Sequence, residues 1–120
     1  MVSNDGSGPR TWHKWIGFSV GVLVTLPALW LAWISAGGGH GDYLWAKLLF
    51  PYTMIVPMLR GCPIIMPLIV VGLVQFPIYG ILVGSSASGF KPLSKMIGII
   101  GGFHVATALI CVIFSVPNFR

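Results

Sequence analysis

The sequence predicts an all-α integral membrane protein with four transmembrane helices, short loops and a polar N-terminal tail. Three observations predict it. Hydrophobic residues make up 56% of the chain and charged residues only 8%, against about 25% charged in an ordinary soluble domain. So few charges leave most of the surface to be solvated by lipid. Three long stretches carry no charge at all. Tryptophan and tyrosine gather near the ends of the first of them. At 120 residues the chain is one domain's worth of material.

Residues 1–14 form the tail, and its first part, "MVSNDGSGPR", is polar, turn-rich and unable to fold alone. Trp12 and Trp15 flank His13 and Lys14 and mark a membrane interface, where indoles settle at headgroup depth. From Trp15 to Ala36 no charge occurs. That is about 22 residues, or about 33 Å of helix, enough to cross a bilayer. The apolar part of a cleaved signal peptide is only about 7–15 residues long, so this span reads as a retained helix. Gly37, Gly38, Gly39 and Gly41 follow it, as expected where a helix ends. Neither GxxxxGK[ST] nor a strand-linked GxGxxG occurs there. With Trp30, Trp33, Tyr43 and Trp45 around it, the loop reads as a membrane turn rather than a phosphate cradle.

The next segment, 43–59, is shorter. Between Lys47 and Arg60 lie about 12 uncharged residues, or about 18 Å of helix. Starting at Tyr43, with Lys47 reaching outward, extends it to about 26 Å, a bare crossing. Pro51 and Pro57 each kink it. The alternative is three crossing helices plus a re-entrant segment here. Re-entrant backbone needs burial in protein or a water cavity, which favours four crossings in so small a chain. "RGCP", 60–63, then reverses direction, and charge-free spans follow at 64–84 and 96–116, the last stopped by Pro117. The domain layout is therefore a tail over 1–14 and a transmembrane helical domain over 15–120. Either topology divides the basic residues four to three in favour of the amino-terminal side. That places the N-terminus in the cytoplasm, and the expected location is a bacterial inner membrane.

His104 is the leading candidate for chemistry, because an ionisable group near mid-bilayer is costly and by default functional. Gly101 and Ala108 clear space on its face. That space suits a haem or chlorophyll whose metal takes the imidazole, or a neighbouring helix that accepts the ring N–H. A proton relay is a third reading. Gly98, Gly102 and Ala106 form a four-residue stripe of small side chains suited to close helix packing. Gln75 needs a partner, either the Leu73 carbonyl freed by Pro77 or a neighbouring helix. His40 and Asp42 could share a cation, but dedicated metal sites supply three or four ligands. Cys62 and Cys111 are too few for a zinc site or a disulfide framework and read as apolar packing residues.

The only carboxylates are Asp5 and Asp42, so no acid–base or nucleophilic constellation can be assembled and no enzyme is expected. The net charge of +5 reflects scarce acids rather than a basic patch, so nucleic acid is not an expected partner. The sequence points to a small polytopic accessory subunit of a larger membrane complex, with other membrane subunits and lipid as partners. An energy-converting respiratory or photosynthetic assembly is one such host. Two rivals come from other classes: a small homo-oligomeric transporter or channel, and a haem- or chlorophyll-binding protein using His104.

Overall fold

The computed structural model describes residues 8–37 and 41–114. Among them every regular element is an α-helix: α1 (Gly8–Ala36), α2 (Leu44–Leu49), α3 (Pro51–Arg60), α4 (Met66–Ser85) and α5 (Phe90–Ile113). Three helical segments, Thr11–Ala36, Met66–Ser85 and Phe90–Ile113, are long and apolar enough to cross a membrane, at 26, 20 and 24 residues. The chain is therefore a multi-pass integral membrane protein. Large apolar side chains point outward along all three, with Trp33 72% and Phe103 68% exposed. In lipid such a surface carries no penalty.

Helix α1 begins at Gly8, inside the stretch read as tail. Pro9 sits in its first turn, where the missing N–H would have had no partner. Residues 1–7 of the tail, and the last residues of the span expected to reach 116, lie outside the described residues. Helix α5 starts at Phe90, six residues earlier than expected, and takes in Lys91 and Lys95. Lysines tolerate a helix well and reach water from its end.

The expected fourth crossing over 43–59 is not a single helix. It is two short ones, of six and ten residues, about 9 and 15 Å long. Neither is long enough to cross. The break falls at Phe50, whose φ of −126° and ψ of 54° leave the helical region. The following residue is Pro51, whose ring disfavours helical backbone at the position before it and which has no N–H to continue the ladder.

The two pieces fold back on each other. At the entry, Gly41 N–H donates to the Ala36 carbonyl at 2.9 Å and Tyr43 N–H to the Ser35 carbonyl at 3.3 Å, both at the end of α1. Deeper in, Gln75 of α4 bonds Leu49, and Phe50 stacks edge-on against Phe76 at 5.5 Å. Past the elbow, Thr53 bonds Leu68, nearly two turns back toward the start of α4. At the exit, Gly61 takes a left-handed conformation (φ 63°). Ile64 then rejoins Ala32 and Tyr43 around the buried cluster of Ala46, Met54, Met58 and Cys111. The segment therefore enters and leaves at one end of the molecule.

Helices α1 and α4 run antiparallel with their backbones in contact. Gly17 lies against Gly80, Gly21 against Phe76 and Pro77, and Gly84 against the carbonyl of His13. A Cβ placed at Gly17 or Gly80 would run into the other residue's carbonyl oxygen. Both helices carry the Gly-x-x-x-Gly spacing, Gly17–Gly21 and Gly80–Gly84, that permits such an approach. Helix α5 instead packs on the α2–α3 hairpin and on α4.

Candidate functional site

The polar side chains of the interior converge on the Phe50–Pro51 elbow. A helix end leaves its last carbonyls without intrahelical donors, and here α2 ends in apolar surroundings, where an unmatched carbonyl is costly. Two side chains from other helices supply donors. His104 Nε2 lies 2.8 Å from the Leu48 carbonyl oxygen. Gln75 Nε2 donates to the Leu49 carbonyl at 2.9 Å. On the far side of the elbow, the Cys111 thiol, fully buried, donates to the Pro51 carbonyl at 3.5 Å.

His104 uses both of its ring nitrogens. A carbonyl oxygen only accepts, so Nε2 carries hydrogen. The other nitrogen, Nδ1, lies 2.9 Å from the Tyr79 hydroxyl. Both ring nitrogens are therefore occupied by partners within the chain. Tyr79 and Tyr52 pack edge-on against it, with centroids 5.8 and 6.2 Å away. Tyr79 in turn stacks on Phe76. Rings from α4, α5 and the hairpin thus wrap the elbow.

Gln75 is only 4% exposed, and its amide is half used. Its Oε1 is buried without a hydrogen-bond partner among the described residues. Of the two partners expected for this side chain, the neighbouring helix supplies the bond. Lys47, expected to reach outward, is 5% exposed and packed inward, toward the negative charge of Asp42.

The remaining candidates scatter. Ala108 is buried, whereas Gly101 faces open space, so the two do not line one slot beside His104. Gly98 and Gly102 also have nothing within 4 Å, and Ala106 is exposed beside them. Within this chain their stripe touches no helix. Asp42 Oδ1 accepts the Leu44 N–H at 3.0 Å and serves the turn. His40 lies outside the described residues. Among the described residues no three His, Cys, Asp or Glu side chains gather as a metal site would require. Cys62 and Cys111 are free thiols.

Sequence reasoning missed Tyr79, Tyr52 and Thr53 as partners of the elbow, and the glycine contacts between α1 and α4. The glycine spacing was visible in the sequence. The tyrosines gave no signal, since aromatic residues line most of these spans. Comparison with protein-family models, with curated proteins and with solved structures finds no match.

Proposed function

We propose that the chain is a small accessory subunit of a larger membrane protein complex, giving helix-packing surface and lipid or cofactor contacts rather than chemistry of its own. In this reading three helices cross a bacterial inner membrane from a cytoplasmic N-terminus. The hairpin of residues 43–60 enters from the opposite side and returns. One observation carries the reading. The carbonyls of Leu48 and Leu49 and both nitrogens of His104 are already bonded inside the chain. The stripe of Gly98, Gly102 and Ala106, by contrast, lies uncovered on α5. Open small-residue stripes admit a partner helix, and an energy-converting assembly is a fitting host.

Broken helices do bind ions in transporters, through carbonyls left open at the break. Here the Leu48 and Leu49 carbonyls already have donors, which weighs against the channel reading. Axial ligation of a haem or chlorophyll by His104 needs a free ring nitrogen, and here both nitrogens have partners within the chain. Mild-detergent purification from native membranes, with native mass and absorption spectrum recorded together, tests the proposal. Co-migration with larger, different subunits is expected. A symmetric homo-oligomer would overturn it in favour of a channel. Visible absorption lost in His104→Leu would overturn it in favour of a pigment protein.

A further inference from the structure

A second feature lies at the other end of the molecule. Because α5 packs on the hairpin and α4 rather than along α1, a groove of about 420 Å³ stays open between α1, α4 and the start of α5. It is lined by His13, Gly17 and Val20 of α1, Tyr79 and Val83 of α4, and Leu93 of α5. Its lining is almost wholly apolar.

We propose that this groove retains one acyl chain of an anionic phospholipid, with the phosphate held at the end where Lys14, Lys91 and Lys95 stand. Length supports it. From His13 to Val24 the groove follows α1 for about 16 Å. That is about half of a hydrocarbon core some 30 Å thick, the reach of a chain in a single leaflet. The groove ends near mid-membrane against Phe76 and Tyr79, and Tyr79 is pinned by His104.

Charge selects the headgroup. Lys91 and Lys95 lie two residues either side of Leu93, and Lys14 follows His13; all three lysines are exposed. The only carboxylate among the described residues, Asp42, is at the opposite end. Trp12 and Trp15, 68% and 63% exposed, set the same end at headgroup depth.

Native mass spectrometry of the full chain in neutral detergent tests this. The probes are phosphatidylglycerol and phosphatidylcholine with identical acyl chains. One phosphatidylglycerol should be retained, severalfold more strongly than phosphatidylcholine, and inorganic phosphate should displace neither. Substituting Lys14→Gln, Lys91→Gln and Lys95→Gln singly should each reduce the preference by up to about fivefold, with phosphatidylcholine retention unchanged. Val20→Trp, at an exposed position, fills the groove and should weaken both lipids, with an unchanged far-UV spectrum confirming the fold. Equal retention of the two lipids by the unaltered chain would overturn the proposal. So would phosphatidylglycerol retention that ignores both sets of variants, displacement by phosphate, or a second copy or other protein cross-linked from Val20→Cys.

Discussion

The chain joins its helices in two different ways. Along α1 and α4 glycines let two backbones touch, and no side-chain hydrogen bond between them is needed. Between α5 and the hairpin, apolar packing around Cys111 is joined by polar side chains that reach carbonyls at a broken helix. Lipid tails are as apolar as leucine, so the hydrophobic effect brings neither pair together. The first joint relies on van der Waals fit over a long seam. The second relies on the cost of leaving a carbonyl unmatched. A seam tolerates no added atom, whereas a bonded elbow tolerates a change of side chain that keeps a donor.

Substitutions at the two joints should separate in size. Gly80→Leu forces a side chain into the Gly17 carbonyl. It should cost about 3 kcal/mol or more, beyond the usual upper range for overpacking, read as a lower midpoint of detergent-denaturant unfolding by tryptophan fluorescence. A normal midpoint would mean that the two backbones stand far enough apart to admit a side chain.

His104→Leu removes two bonds and strands the Leu48 carbonyl. Interhelical bonds in membranes average about 0.6 and reach about 1.7 kcal/mol, so a loss of about 1–2 kcal/mol is expected in the same assay. His104→Gln, which keeps an N–H donor, should recover part of it. If glutamine recovers nothing, ring packing against Tyr52 and Tyr79 matters more than the bonds.

Gly98→Leu with Gly102→Leu, on the open face of α5, should change the stability of the isolated chain by less than about 0.5 kcal/mol. The same pair should abolish co-migration with partner subunits on a native gel. A large loss of stability in isolation would show that this face is already occupied within the chain.

The crossing helices were legible in the sequence because a charge-free run as long as a bilayer is thick could hardly be kept in water. Their ends were less so. Lys91 and Lys95 looked like loop residues, yet headgroup depth lets a helix begin before the apolar run does. The hairpin was the hard part. Pro51 announces a break but not its angle, and a kinked crossing and a reversal read alike locally. What distinguishes them are the donors, Gln75 and His104, which stand 26 and 56 residues from the carbonyls they serve. No local pattern encodes such distances. The glycine stripes on α1, α4 and α5 share one spacing, and only the assembled chain reveals which two have found each other.

The returning hairpin also fixes a parity. A segment that exits where it entered adds nothing to the count of passages, so the three crossings proposed for α1, α4 and α5 leave an odd number. In a bilayer the start of α1 and the end of α5 then belong to different compartments. With that topology, a tag on one end should answer to cytoplasmic reagents and a tag on the other to external ones, in the same intact cell.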